Sequence, residues 1–225
     1  MHEPNNPTIK YLIGDLFFAV MKNYPAAINY FEAAIKLKPD YFDAHWELGL
    51  VHCARGDNNE AIKNLKAALE LNDKSLRGYL DLADIYVRQK NYEEASKVWF
   101  RAADKLPLEY LPYKELARLY SYQQKTDEAI KCYEEAIARM KPEQWLRDVY
   151  RCRIVRLRGQ YADSITCFKN VKIPGNGNPA QIPYEIGLTH VASKNKAAAL
   201  VQYERLKQME SSLAEELLTA INEMK

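Results

Sequence analysis

The chain has 225 residues, 32 basic and 30 acidic side chains and a formal charge of +2. So even a balance carries neither the electrostatic footprint of a general nucleic-acid binder nor that of a membrane-surface protein. Only eight glycines occur, and the abundance of Ala, Leu, Glu and Lys favours helix throughout.

Residues 1–7 read as a tail and turn of the kind that closes one helical hairpin before the next. The run 8–21 predicts a first helix that is apolar nearly all round (Ile9, Leu12, Ile13, Leu16, Phe17, Phe18, Val20). Such a helix is normally covered on more than one side, so an upstream repeat, a dimer contact or an apolar ligand stands beside plain packing on its partner helix. Asp15 interrupts the run, which is too short to span a bilayer and has no basic leader. The pair Ile13-Gly14 sits one residue farther from Ala27 than later repeats predict.

From residue 42 onward a pattern recurs. His45-x-x-Leu48-Gly49-x-x-His52, Gly56-Asp57, Ala61-x-x-x-Leu65 and Ala68 are followed 34 residues later by Tyr79-x-x-Leu82-Ala83-x-x-Tyr86, Asn91-Tyr92, Ala95-x-x-x-Trp99 and Ala102. A further step gives Tyr113-x-x-Leu116-Ala117-x-x-Tyr120, Ala129-x-x-x-Tyr133 and Ala136. One step back gives Tyr24, Ala27-x-x-x-Phe31 and Ala34. Gly56 can take the left-handed conformation that stops a helix, and Asp57 or Asn58 can cap the next one. Pro107 and Pro112 punctuate the turn between the third and fourth repeats.

The fifth repeat departs from the pattern. It keeps Gly159-Gln160-Tyr161 and Phe168, but the alanine slot holds Ser164 and a core slot holds Arg151. An unpaired buried arginine is costly, so the helix is expected to rotate onto Leu146, Val149, Tyr150 and Ile154, with an Arg151–Asp148 pair as the alternative. After the loop 173–179 a sixth repeat carries Tyr184, Ile186-Gly187, Ala199-x-x-x-Tyr203 and Leu206. The segment 212–225 opens with a capping box (Ser212, Glu215) and keeps one apolar face, as a terminal capping helix requires.

The period and its order of small and aromatic slots resemble the tetratricopeptide repeat. The resemblance implies an all-α, right-handed solenoid of helix-turn-helix hairpins in a single array over 1–225, with repeats near 8–41, 42–75, 76–109, 110–143, 145–178 and 180–211 and a capping helix at 212–225. It also implies a non-enzymatic scaffold or adaptor whose concave groove, lined by the first helix of each hairpin, binds a peptide or protein segment. The residues agree about catalysis: there is no phosphate loop, HExxH, nucleophile elbow or dinucleotide turn. His45, His52 and Cys53 suggest a metal site at first sight, but both histidines fill slots that hold tyrosine in the next repeats, so no metal or cofactor is expected. The four cysteines form no CxxC pair, which predicts free thiols and a cytoplasmic setting.

By that resemblance the groove is lined by Trp46, Glu47, Leu50, Arg77, Asp81, Asp84, Arg88, Lys114, Arg118, Tyr122, Arg153 and Arg156. Its N-terminal part is apolar with acids alongside, and its later part is rich in arginine, which holds carboxylates bidentately. The expected partner is a segment with an apolar anchor near Trp46 and Leu50 and acidic residues nearer Arg118 and Arg153. Against it stands the reading in which these arginines pair with the chain's own acids for solubility. A second class, RNA or another polyanion, rests on Arg147, Arg151, Arg153, Arg156 and Arg158, although these spread around the helix instead of forming one stripe. A third is self-association through the first helix, or a place within a larger scaffold.

Overall fold

In the computed structural model, residues 5–141 and 144–224 are described. They form the helices α1 (Pro7–Asp15), α2 (Tyr24–Leu37), α3 (Phe42–Arg55), α4 (Asn58–Leu71), α5 (Leu76–Arg88), α6 (Tyr92–Lys105) and α7 (Leu111–Tyr122). Then follow α8 (Thr126–Arg139), α9 (Trp145–Leu157), α10 (Tyr161–Asn170), α11 (Gln181–Ala192), α12 (Lys196–Gln208) and α13 (Leu213–Asn222). No strand occurs among the described residues. The fold is the all-α solenoid class that the repeat pattern predicts. The chain divides into two compact units, Met1–Pro112 and Tyr113–Lys225.

In the first unit each second helix sends a small–large–small row into the core. Ala27, Phe31 and Ala34 on α2, Ala61, Leu65 and Ala68 on α4, and Ala95, Trp99 and Ala102 on α6 are all buried. The spacing of four and three keeps the row on one helical face, and the alanines let the neighbouring helices approach. α3 follows the same logic: Gly49 lies so close to α4 that a Cβ there would meet Leu65 at 2.8 Å.

Residues 8–21 are not one regular α-helix, which corrects the expectation. After α1 the chain forms a π-helical turn, Leu16–Val20, in which the Met21 amide donates to the Leu16 carbonyl at 3.2 Å. The cause is the extra residue. Gly14 faces Phe31 as Gly49 faces Leu65, with a 2.8 Å approach at each. The two glycines are 35 residues apart, whereas Phe31 and Leu65 are 34 apart. A π-turn, with its wider ring, takes up the difference without breaking the helix.

Hairpin turns repeat a second feature. Lys22, Gly56, Lys90, Gln124, Gly159 and Lys194 all have positive φ and stand near the 34-residue period. Glycine takes this conformation freely, whereas the lysines and Gln124 pay for it. Asp57 precedes α4 but caps it with no side-chain hydrogen bond; its carboxylate lies 3.2 Å from Arg55 Nε instead.

In the second unit Ala129, Tyr133 and Ala136 of α8 continue the small–large–small row. On α9 the buried stripe is Val149, Tyr150, Cys152 and Ile154, while Arg151 is exposed and donates to Asp148 at 2.9 Å. Rotation and pairing thus both occur. The expectation of four free thiols is corrected: Cys152 and Cys167 form a disulfide with Cα atoms 5.5 Å apart. Helix packing explains the pairing, because α9 and α10 run antiparallel in one hairpin and bring the two side chains face to face. Cys53 and Cys132 remain free. At the C-terminal cap, Ser212 makes no side-chain capping bond, and Leu213 N donates to Ser211 Oγ at 3.3 Å in its place. Leu217 and Ile221 of α13 close a core with Ala180, Ala199 and Leu206.

Candidate protein-interaction surfaces

In the first unit the groove residues named from spacing do come together on α3 and α5. The Trp46 indole donates to Asp81 at 2.8 Å, and the Arg77 guanidinium lies over the Trp46 ring, 3.8 Å from its centre. Arg77 also donates to Asp43 at 2.5 Å. Arg88 bridges Asp84, at 3.1 Å, and the Cys53 sulfur, at 2.8 Å. Leu50 is half-buried beside them. The cations of this face are therefore engaged by the chain's own acids.

The acids outnumber them. Glu47 is half-buried and accepts no hydrogen bond among the described residues. Burial pushes its carboxyl up, with Asp15, Asp43 and Asp81 adding to the effect against Arg77, to about 7. Burial likewise raises Asp81, against the hydrogen bond from Trp46. The sign of the stability effect follows. The folded state of Glu47 holds its proton more tightly than the unfolded chain, so stability contributed below the ordinary value of 4.5 is lost as pH rises through about 7. The Glu47→Gln variant should flatten this dependence and melt higher than the parent at about pH 8. Thermal melts across the pH range read both effects; an unchanged slope in the variant would assign the titration to another group.

In the second unit Glu115 is the shared acid of α7, paired with Lys114 and, at 2.8 Å, with Arg118. Tyr122, a turn beyond, is 60% exposed. Together with Val191, Ala192, Ala220, Glu223 and Met224 it lines a cavity of 580 Å³. Arg153 and Arg156 are not free groove cations. Both reach the fully buried Glu185 on α11: Arg153 Nε donates to Oε1 at 3.0 Å, and Arg156 donates to Oε2 at 2.9 Å. Gln181 and Thr189 complete the network at 2.9 and 2.8 Å, the latter on the Glu185 carbonyl. Burial would raise the Glu185 carboxyl, but the two guanidiniums override it and hold it well below the usual carboxylate range.

Glu185 stands one residue before Ile186, as Glu47, Asp81 and Glu115 stand before Leu48, Leu82 and Leu116, and the sequence reading did not single it out. The available signal was two arginines one turn apart, followed one repeat later by an acid in a core position. Arg151 pairs with Asp148 and Arg158 with Glu134, the latter at 3.3 Å. Four of the five arginines of the polyanion reading therefore meet carboxylates of the chain. His45 Nε2 lies 3.0 Å from the Pro39 carbonyl, and His52 Nδ1 lies 3.6 Å from Asp57. No helix among the described residues is long and apolar enough to cross a membrane.

Tetratricopeptide repeat models match residues 52–108 and 113–144, and a TPR repeat model matches 21–54. Over 85 residues the chain is 36% identical to the peroxisomal targeting signal receptor of Saccharomyces cerevisiae, a stretch that is 38% of this chain and 14% of the receptor. Among solved structures it resembles a chain of the APC/C hetero-tetramer Cut9–Hcn1, with 18% identity and a TM-score of 0.63 over 98% of this chain and 43% of that one. It also resembles a tetratricopeptide repeat protein of Parabacteroides merdae, with 15% identity and a TM-score of 0.64 over 97% and 85% of the two chains. The type IV pilus biogenesis factor PilW matches at 18% identity and a TM-score of 0.63, over 94% and 98%. The chain thus spans under half the length of the first of these solved chains and a small part of the yeast receptor. These structural likenesses concern the fold, and the repeat models, the 34-residue period and the stacked hairpins agree on one assignment: this chain belongs to the tetratricopeptide repeat family.

Proposed function

We propose that the chain is a non-enzymatic adaptor that binds a protein segment on the inner faces formed by its first helices. The family is one of protein-interaction scaffolds, and the Trp46–Leu50 edge of α3 carries the finer reading. There a half-buried indole and leucine stand beside an acid, Glu47, that accepts no hydrogen bond among the described residues. Apolar surface flanked by polar groups, presented by rigid helices, is the kind of pocket in which an anchoring side chain gains most of its binding energy. On the second unit, Lys114 and Arg118 share one carboxylate between two cations and keep capacity for an acidic residue of the partner. Arg153 and Arg156 belong to the support of the fold.

The test is cross-linked capture from native lysate with the parent, a Leu50→Asp variant and an Arg118→Ser variant. Leu50→Asp should weaken capture of groove-bound proteins by about thirtyfold or more, as loss of a hot-spot anchor does, and Arg118→Ser should weaken it less and in a salt-dependent way. Identical captures by parent and Leu50→Asp, with unchanged circular dichroism, would remove the first-unit face from the binding surface.

A further inference from the structure

Among the second helices of the hairpins, α10 is the short one. It has 10 residues, against 14 in α2, α4, α6 and α8 and 13 in α12. Its core row is cut short as well. Ser164 and Phe168 are buried, but the third slot falls on Val171, past the helix end and only half-buried. Ala34, Ala68, Ala102 and Ala136 fill that slot inside their helices and are buried. With less packing to hold it, α10 belongs to the low end of local stability.

Two ties to α9 offset the lost packing. Ser164 Oγ donates to the Cys152 carbonyl at 3.1 Å, and the Cys152–Cys167 disulfide closes a separation of 15 residues. The repeat sets this meeting. Cys152 lies 35 residues after Ala117 and 35 before Gly187, in the small-residue slot of the first helix, and Cys167 lies midway between Cys132 and Gln202. In the sixth hairpin the same two slots face each other so closely that a Cβ on Gly187 would lie 3.3 Å from Gln202 Cβ. Cysteines in these slots therefore meet without moving the helices, and as thiols they pack there as small apolar side chains. The bond is also within reach of solvent. Cys152 is fully buried but Cys167 is half-buried, and a cleft of 230 Å³ lined by Asp148, Arg151, Asn170 and Val171 opens on the pair.

From this we propose that the Cys152–Cys167 pair is a reversible redox switch that sets the order of α10, and that its reactant is a dithiol entering by the cleft. A thiolate of the dithiol attacks Cys167 Sγ; the new mixed disulfide forms as the bond to Cys152 breaks. Cys152 leaves as a thiolate and takes up a proton. The second thiolate of the reactant then attacks the reactant's own sulfur in the mixed disulfide, and Cys167 leaves and is protonated in turn. Two electrons and two protons thus pass to the pair, and the dithiol becomes a disulfide. The reverse sequence, from the oxidised reactant, restores the bond. In the reduced hairpin the Ser164 hydrogen bond and buried Phe168 remain, so α10 loosens without leaving α9. The Arg156 guanidinium lies 5.9 Å from the centre of the Phe168 ring, so the loosening reaches the Glu185 network that joins α9 to α11.

The test is to equilibrate the full, undenatured chain in mixtures of reduced and oxidised dithiothreitol, alkylate it and map each cysteine by mass spectrometry. Cys152 and Cys167 should pass together and reversibly between the bonded and the alkylated form. Hydrogen-exchange protection in α10 should fall at least about tenfold on reduction, and less in α11. Cys152→Ala, which places in this slot the residue that the fourth hairpin has, should show the low α10 protection in every mixture. With oxidised glutathione as probe, Cys152→Ala should form a mixed disulfide at Cys167 at least about tenfold faster than Cys167→Ala does at Cys152. A pair that never bonds, that is reduced only after denaturation, or that is reduced with α10 protection unchanged would overturn the switch. Faster capture at Cys152 would overturn entry at Cys167.

Discussion

Replacing Glu185 with alanine should unfold much of the second unit, at a cost of about 3–5 kcal/mol. Glu185 is fully buried, and its carboxylate neutralises Arg153 and Arg156, whose side chains are 20 and 16% exposed. The Arg153 guanidinium also lies over the Tyr150 ring at 5.4 Å, and that of Arg156 over Phe168 at 5.9 Å. Removing the acid leaves two like charges in a site from which water is largely excluded, with neither cation able to shed its proton. Chemical denaturation of parent and variant measures the loss. Replacing all three charges together with apolar residues of similar volume should recover most of it, because a buried ion cluster costs about as much desolvation as it returns in attraction. A Glu185→Ala variant as stable as the parent would mean that the arginines swing out to solvent.

The same network fixes a pH dependence. The folded Glu185 carboxyl is depressed below its ordinary value of 4.5 by the two guanidiniums. Its contribution is therefore complete above about pH 5 and is lost as pH falls toward the folded value. That is opposite in sign to Glu47, whose contribution falls as pH rises through about 7. Two acids at equivalent positions of different repeats are thus shifted in opposite directions. Glu185 has two buried cations within hydrogen-bonding reach, whereas Glu47 has three acids nearby against one arginine.

That contrast shows how much of the molecule was legible in its residues. The hairpins were readable because the core row of alanines and one large residue is local: Ala61, Leu65 and Ala68 declare their face by spacing alone. The face that each residue of α3, α5 and α7 shares with its neighbours was readable for the same reason, since position along a helix fixes the side from which a residue projects. Pairing was readable within a helical turn, as for Arg151 and Asp148, but not across hairpins. Whether an arginine faces a partner or the chain's own acid depends on distances across hairpins, such as the 32 residues between Arg153 and Glu185, and many acids compete at similar separation. The disulfide was not legible because the cysteines form no CxxC pair, and Cys152 and Cys167, 15 residues apart, meet only across the α9–α10 hairpin. The extra residue before Ala27 was visible in the count, but only the π-turn shows how the helix takes it up.

Leu217→Asp is the second substitution expected to have a large effect. Leu217 is fully buried in α13 among Ala180, Ala199, Leu206 and Ile221. It presses so closely on α11 that a Cβ on Gly187 would come within 2.4 Å of its Cδ2. Aspartate there forfeits the packing of three apolar carbons, worth about 2–5 kcal/mol on the scale of leucine truncations, and places a carboxylate in an apolar cluster. The total should exceed about 4 kcal/mol, a large fraction of the 5–15 kcal/mol that a domain commonly holds. Leu217→Ala should lose only the packing share, and Glu216→Gln, on the exposed side, should change stability by less than about 1 kcal/mol. Hydrogen exchange distinguishes a local from a global effect. In a repeat array each hairpin is stabilised by its neighbours, so protection should fall most in α11 and α12 and progressively less toward α8. Because α13 and the residues just after it supply Ala220, Glu223 and Met224 to the cavity beside Tyr122, the variant should lose any ligand held there even at temperatures where the earlier hairpins stay folded. Uniform loss of protection across the second unit would instead make it a single cooperative block, with α13 one wall of a common core.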